Sequence, residues 1–229
     1  MSVTFFLKNQ CSAGRVRVAL LVPCIALLTA CATPKAPYDY TAFKQSRPKS
    51  IVVLPPVNET PEVKATMGVM ASTVYPLAEA GYYVMPISVV AETFKQNGMT
   101  QPEDIHSLPF NKLHDIFGAD AALYMHVKRY GTTYKVISSD TTVVVDARLV
   151  DLRSGGTLWE GTASASSAEQ GNSSGGLVGM LASAVVNQIV NTATDAGFTY
   201  AGVANQRLLG APVVNGMLYG PRSVNYHKD

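Results

Sequence analysis

The stretch TTVVVDARLVDL, residues 141–152, alternates apolar and polar side chains with a period of two. The residues that would point to one side of a strand are apolar: Val143, Val145, Ala147 and Leu149. Asp146 and Arg148 would point to the other side. Alternation of this kind predicts an antiparallel strand that buries one face and leaves the other in water.

Two further strand-like segments flank this stretch. Residues 121–137 precede it, with Gly131 as a bend or β-bulge, and residues 157–166 follow it. Short polar turns at 138–140 and 153–156 join the three segments. The sequence therefore predicts a meander of three antiparallel strands.

The residues before the meander alternate between strand and helix patterns. Apolar runs at 50–57 and 82–87 predict buried strands, and apolar spacings of three and four at 60–80 and 88–97 predict helices. Two β-α units followed by a meander predict an α/β (α+β) fold, in which helices pack on one mixed sheet.

Prolines and capping residues set the expected helix ends. Thr60 is the predicted N-cap of the first helix, which Pro76 should kink. Pro102 and Pro109 should open two further short helices, the second of which ends at Gly118.

Residues 177–194 predict a long C-terminal helix after a flexible loop at 168–176. Apolar side chains cover more than half of its circumference, so the helix needs cover on more than one side. It is either a core helix of its own domain or a helix shared with a partner or a second copy. The candidate interface residues are Leu177, Met180, Leu181 and Val185. The last thirty residues are expected to form a helix end and an extended tail.

The first thirty residues have the pattern of a secretory leader. Residues 1–17 contain three basic residues and no acidic one, and residues 18–28 form an apolar block of eleven. This block is shorter than the ~20 residues that a transmembrane helix needs. We therefore expect a leader over residues 1–30.

The leader ends in four residues that resemble the lipobox of bacterial lipoproteins: Leu28, Thr29, Ala30 and Cys31. In that motif the leader is cut before the cysteine, which then carries acyl chains. Each buried CH₂ contributes ~0.8 kcal/mol, so several chains hold a protein durably on a membrane. Cys31 is then the lipidation site, residues 31–48 form a tether, and Ala32 in place of Asp points to the outer membrane. An ordinary leader with a chance cysteine is the alternative.

Removal of the leader changes the charge balance. It takes away three of the 18 basic residues and leaves 15 against 16 acidic residues. Such a balance gives the chain no overall electrostatic attraction for nucleic acid or anionic lipid. Residues 49–229 are numerous enough for a single domain with its own core.

Two patterns could indicate chemistry. The segment GNSSG, residues 171–175, matches G-x-S-x-G, and Asp195 and His227 follow Ser173 in the chain order of a hydrolase triad. Because the segment around Ser173 is polar, whereas a nucleophile elbow follows a buried strand, a serine hydrolase is the remote alternative. We expect no metal or other cofactor, since no metal-ligand spacing joins the histidines, which are His106, His114, His126 and His227.

Several long runs resemble one family of outer-membrane lipoproteins of unknown function, which includes a meningococcal vaccine-candidate antigen. The runs are SIVVLPPVNETPEVKAT, PLAEAGYYVMPISVVAETFKQNG, IFGADAALYMHVKRYGTTYKVI and LVDLRSGGTLWEG. The resemblance implies a fold similar to the N-terminal domain of TolB and to the periplasmic domain of the curli secretion channel lipoprotein. Members typically accompany a lipoprotein like the curli channel subunit, which implies a role in envelope transport or assembly. The resemblance implies no catalytic residues.

These observations favour a lipid-anchored, non-enzymatic lipoprotein of the outer membrane, which faces the periplasm or the cell surface. It would act as an interaction module for another envelope lipoprotein and could form a homodimer. The alternative is a periplasmic lipid- or peptide-binding protein with a cleft lined by Tyr82-Tyr83 and Tyr130–Tyr134. Nucleic acid is not an expected partner.

Overall fold

A computed structural model of the chain describes residues 38–134, 139–172 and 196–228. Several sequence-based predictions lie outside these ranges and stay predictions. They are the leader 1–30, the lipobox Leu28–Cys31, the helix 177–194 with Leu177, Met180, Leu181 and Val185, and the hydrolase residues Ser173 and Asp195. Within the described ranges, no helix has both the length and the hydropathy needed to cross a membrane.

The described residues form six β-strands and seven α-helices. The strands are β1 (Ser50–Val53), β2 (Val57–Asn58), β3 (Tyr83–Val84), β4 (Ala121–Tyr134), β5 (Ser139–Asp151) and β6 (Thr157–Ser166). The helices are α1 (Thr41–Ser46), α2 (Ala65–Ser72), α3 (Val74–Glu79), α4 (Ile87–Gln96), α5 (Pro102–His106), α6 (Phe110–Phe117) and α7 (Ala196–Leu209). A 3₁₀ turn, Ser167–Asn172, follows β6.

All six strands belong to one mixed sheet with the order β3-β1-β4-β5-β6, and β2 also pairs with β4. β1 runs parallel to β3 and to β4, and β2 runs parallel to β4. The pairs β4–β5 and β5–β6 are antiparallel. This arrangement confirms the predicted fold class, because parallel β-α units lead into a three-stranded meander with helices packed on the sheet.

In β4 the β-bulge lies at Lys128 and not at Gly131. Val127 pairs with Val145 and Arg129 with Val144, which leaves Lys128 without a strand partner. Gly131 has a φ of +116° but keeps its place in the ladder opposite Thr142. The glycine therefore bends the strand, whereas the extra residue of the bulge lies three positions earlier.

The inner face of the meander forms the core. The predicted alternation along β5 is confirmed, since Val143, Val145 and Leu149 are fully buried. α7 packs across this face beside α2. Asn205 on α7 is also fully buried, and its Nδ2 donates hydrogen bonds to Val69 O and Ser72 Oγ at 2.9 and 2.8 Å. This 14-residue helix lies where the sequence predicted only a helix end.

The helix predicted from Thr60 begins later, at Ala65. Asn58 Oδ1 accepts hydrogen bonds from the backbone and side chain of Thr60, at 3.0 and 2.8 Å, and holds Thr60 in a turn. The predicted kink near Pro76 is an interruption at Thr73, whose Oγ1 donates to Met70 O at 2.7 Å. The local hydrogen bonds of these side chains compete with the helix and shorten it.

The stretch 31–48, expected to be a tether, contains helix α1. Phe43 on this helix is 3 % exposed, and the Ser46 hydroxyl donates to Asp151 Oδ2 at the end of β5. The folded domain therefore starts before residue 49. A single buried aromatic in a six-residue helix gives too short a pattern for a sequence-based prediction.

The sequence predicts an extended tail after α7, but the tail contains turns at 214–215, 221–222 and 224–227 and packs along the domain. Tyr40 Oη donates to Gly216 O at 2.5 Å, and Trp159 Nε1 donates to Asn215 O at 3.0 Å. Further along, Gly220 N donates to Ala80 O at 2.8 Å. The tail thereby connects α1, β6 and the turn before β3.

Candidate functional site

The face of the meander opposite α7 carries three cross-strand rows of side chains, which we call the open face. The rows are Tyr124–Arg148–Glu160, His126–Asp146–Thr162 and Arg129–Val144–Ser164. Only Tyr124 is buried, and five of the nine residues are exposed: Arg129, Arg148, Glu160, Thr162 and Ser164. Because the strands are fixed by backbone ladders, these side chains project from a rigid surface.

One end of the open face is covered by α5. The ring of His106 meets the rings of Tyr124 and His126 edge-on, with centroids 5.2 and 5.7 Å apart. The guanidinium of Arg148 lies over the ring of Tyr124, at 5.4 Å from the ring centroid. Burial raises the pKa of Tyr124, although the charge of Arg148 opposes this. The tyrosine therefore stays neutral and forms the apolar floor of this end.

His106 is a neutral imidazole. Burial lowers its pKa from 6.5 to about 4, and the hydrogen bond with Pro55 O opposes that shift. Its Nε2 lies 3.0 Å from Pro55 O and carries the proton, because a carbonyl oxygen can only accept. This histidine positions α5 over the sheet, as a satisfied structural group.

Beside the bulge, a charged cluster borders the open face. The Lys128 ammonium donates to the Glu59 carboxylate and lowers the pKa of Glu59, and the same contact raises the pKa of Lys128. His126 Nδ1 lies 3.3 Å from Glu59 Oε1. Across the sheet, Thr162 Oγ1 donates to Asp146 Oδ1 at 2.8 Å. Opposite charges alternate across this surface, which suits recognition of a charged, patterned partner surface.

A separate cavity of about 310 Å³ lies between α1, the turn before β3 and the C-terminal tail. Its lining residues are Phe43, Lys44, Arg47, Pro48, Tyr82, Leu218, Tyr219, Tyr226 and His227. The floor is apolar, since Phe43, Pro48 and Tyr82 are buried. Lys44, Arg47 and His227 are exposed at the rim, so the cavity combines an aromatic floor with a rim that carries the two cations Lys44 and Arg47.

Asp151 fixes the helix that carries this rim. Its carboxylate accepts hydrogen bonds from the Ser46 hydroxyl, from Arg153 N and from Ser154 N, the last two at 2.9 and 2.8 Å. Burial opposes ionisation of Asp151, but the hydrogen bonds outweigh it and lower its pKa. The ionised carboxylate joins α1 to the β5–β6 turn.

The structure separates the two tyrosine-rich stretches that the sequence suggested as one cleft. Tyr82 lines the cavity and donates its hydroxyl to Leu218 O at 2.6 Å. Tyr130 is buried on the inner face, where its hydroxyl lies close to Gly68 of α2. No described residue from 130 to 133 belongs to the cavity lining. Tyr82 and Tyr130 therefore do not line the same cavity.

The histidines are spread over several sites. His227 lies at the cavity rim, with Nε2 3.4 Å from Arg47 Nη1, and His114 Nδ1 lies 2.9 Å from Ala119 O. Over the part of the chain that the structure describes, no three His, Cys, Asp or Glu side chains gather in a group that could hold a metal ion. The sequence alone did not identify Lys44 and Arg47 as site residues, because both lie in the stretch 31–48 that was expected to be a tether.

The comparisons with known proteins agree with the resemblance. Residues 38–222 match the family model described as "Putative lipoprotein GNA1162-like". The "Putative lipoprotein NMB1124/NMB1162" of Neisseria meningitidis serogroup B is 54% identical over 201 residues, which cover 87% of this chain and 93% of that protein.

Among solved structures, the crystal structure of lipoprotein GNA1162 from Neisseria meningitidis is 58% identical. The match covers 63% of this chain and all of that one, with a TM-score of 0.52. The family model spans well over half of the chain. The sequence identity to the Neisseria meningitidis relative, 54% over most of both chains, is high enough to show that the two proteins belong to one family. The chain therefore belongs to the GNA1162-like family of lipoproteins.

Proposed function

We propose that this protein is a lipid-anchored, non-enzymatic interaction module of the outer membrane, whose open face binds another envelope lipoprotein. The partner we propose resembles the curli channel subunit, and the process is envelope transport or assembly. The anchor is the acylated Cys31. Membership in a lipoprotein family and the lipobox support the anchor.

The observation that carries the interaction role is the exposure of the open face. Antiparallel sheets often leave one face in water, so exposure alone has an ordinary explanation. Here the exposed rows combine Arg148 with Glu160, and His126 with Asp146, on three long strands that hold them in register. Non-obligate interfaces are about as polar as the rest of a protein surface, and complementary charge sets their specificity.

The outer strand of the meander adds a second recognition element. β6 is the last strand in the described sheet and has β5 as its described strand partner. Its ten residues, TLWEGTASAS, contain one charged side chain, Glu160, and no lysine or proline. Proteins usually protect exposed strand edges with such residues. Ser164 O already accepts a hydrogen bond from Arg207 Nη1 at 2.7 Å, so the part of β6 before Ser164 suits pairing with a strand of a partner.

Site-specific photo-cross-linking in cells tests this role. A photoreactive residue replaces Thr162 on the open face, and a matched control replaces Lys112, an exposed residue on α6. We expect the Thr162 position to form one covalent adduct with an envelope lipoprotein, identified by mass spectrometry, and the Lys112 position to form none. Equal adducts from both positions, or none from Thr162 in a folded and exported protein, would contradict the proposal.

A further inference from the structure

The interaction role proposed above does not involve the residues that line the cavity between α1 and the tail. Its volume of about 310 Å³ is at the lower end of the ~300–1,000 Å³ range of ligand sites, so it fits a small polar group. The buried rings of Phe43 and Tyr82 form its floor, with Tyr219 and Tyr226 at the sides. Such walls are pre-formed, because Tyr82 is fixed by its hydrogen bond to Leu218 O.

The rim of this cavity is positively charged. Arg47 donates from Nε to Lys44 O at 2.9 Å, and this contact holds the guanidinium at the end of α1. Its guanidinium also lies 3.4 Å from His227 Nε2, and among the described residues no carboxylate forms an ion pair with it. The lining contains no acidic residue. The nearby Asp39 accepts a hydrogen bond from Thr41 N, at the opposite end of α1.

An arginine and a lysine at the rim of one small cavity match the chemistry of a phosphate group. The guanidinium offers paired donors to two anion oxygens, and the ammonium adds a point charge. The aromatic floor suits the short carbon chain to which a phosphate ester is attached. The near-neutral charge of the whole chain concealed this site, because a net charge does not show where cations gather.

The cavity also lies close to the start of the folded domain. Tyr40, which contacts Gly216 in the tail, is nine residues after Cys31. Nine residues span at most about 30 Å. The adjoining loop exposes Val213 and Val214, with relative exposures of 44 % and 90 %. A chain anchored at Cys31 therefore holds this cavity and these two apolar side chains within reach of the membrane surface.

We infer that the cavity binds the phosphate of an anionic lipid headgroup and thereby sets how the domain sits on the membrane. The membrane as the source of the phosphate rests on the proposed lipid anchor. The test uses the chain from residue 31 with Cys31→Ser, which carries no lipid. Its result therefore tests lipid binding by the cavity and does not depend on whether Cys31 is lipidated in cells.

Binding is measured by sedimentation with phosphatidylcholine vesicles that contain or lack phosphatidylglycerol. Each basic residue near an anionic surface contributes about fivefold to binding, so Lys44→Gln with Arg47→Gln should weaken binding about 30-fold. The matched control is Lys95→Gln with Lys112→Gln, which removes two exposed cations outside the cavity. Lys44→Gln alone, expected to weaken binding about fivefold, replaces the double variant if that variant does not fold.

Glycerol phosphate as a soluble competitor separates the sources of the phosphate. We expect wild type and control to bind the anionic vesicles, the cavity variant to lose that binding, and glycerol phosphate to compete. The inference would be overturned if both pairs of substitutions weakened binding equally. It would also be overturned if the wild type bound neither anionic vesicles nor glycerol phosphate. Binding of glycerol phosphate without binding of vesicles would overturn the lipid source and support a soluble phosphate ester.

Discussion

The tail passes close to the backbone of the domain at Gly220, and Gly220→Ala should detach it. A Cβ at this position would lie 2.6 Å from both the carbonyl carbon and oxygen of Gly81, and 2.9 Å from the ring of Tyr82. Because backbone atoms cannot move aside as the end of a long side chain can, the tail must shift.

The size of the effect follows from the contacts that this shift breaks. Gly220 N donates to Ala80 O at 2.8 Å, Arg222 N to Gly81 O at 3.0 Å, and Tyr82 Oη to Leu218 O at 2.6 Å. Each such hydrogen bond contributes about 1 kcal/mol net, so complete detachment should lower the free energy of unfolding by about 3 kcal/mol. A partial shift corresponds to overpacking, which costs roughly 1–3 kcal/mol.

Urea unfolding followed by tryptophan fluorescence measures this change. Trp159 is the sole tryptophan of the chain, and its Nε1 donates to Asn215 O in the tail, so its emission also reports detachment. The matched control is Gly202→Ala on α7, where a Cβ would meet no atom within 4 Å. Alanine has the higher helix propensity, so this variant should be up to about 1 kcal/mol more stable.

Hydrogen exchange of the tail amides gives the decisive comparison. Gly220→Ala should expose residues 216–223 to exchange while the amides of β4 and β5 stay protected. A Gly220→Ala protein with the wild-type urea midpoint and protected tail amides would refute the close-packed tail and, with it, the cavity that the tail completes.

Three further predictions concern residues outside the tail. The pKa of His106 is about 4 in the folded protein and 6.5 in the unfolded chain, so the unfolded chain binds a proton first as the pH drops. The free energy of unfolding should therefore fall by about 2 kcal/mol between pH 6.5 and pH 4, after allowance for the partial exposure of His106. His106→Gln should remove this pH dependence in urea titrations at several pH values, and an unchanged pH dependence would contradict the prediction. Asp151→Asn should lower the free energy of unfolding by about 2 kcal/mol. Its amide nitrogen replaces one carboxylate oxygen, so the side chain loses either the hydrogen bond from Ser46 at Oδ2 or those from Arg153 N and Ser154 N at Oδ1. Calorimetry that shows no change would contradict this role of Asp151. Phe43→Ala should lower the free energy of unfolding by about 3–5 kcal/mol, because Phe43 is a core residue. Calorimetry that shows no loss of stability would instead indicate that Phe43 belongs to a tether outside the core.

The meander could be predicted from the sequence because its signal is local and long. β5 alternates over many residues, and burial of Val143, Val145 and Leu149 follows directly from the period of two. β6 has the predicted bounds, Thr157–Ser166. In contrast, the bulge at Lys128 depends on the register with β5, which a single strand does not encode.

The cavity and the open face depend on contacts between residues that are distant in the chain. Arg47 and His227 are 180 positions apart, and Ser46 and Asp151 are 105 positions apart. Their association is created by the packing of α1 and the tail, for which no short sequence pattern exists. The open face was visible as the polar side of β5, but its partners on β4 and β6 follow only from the strand pairing.

The lipid on Cys31 is the feature on which the membrane-anchored role depends. Intact-mass and N-terminal peptide analysis of protein purified from native envelopes measures it directly. We predict a chain that begins at Cys31 and carries a diacylglycerol on the sulfur and an acyl group on the amino terminus. A chain that keeps residues 1–30, or one with an unmodified Cys31 thiol, would contradict the anchored role.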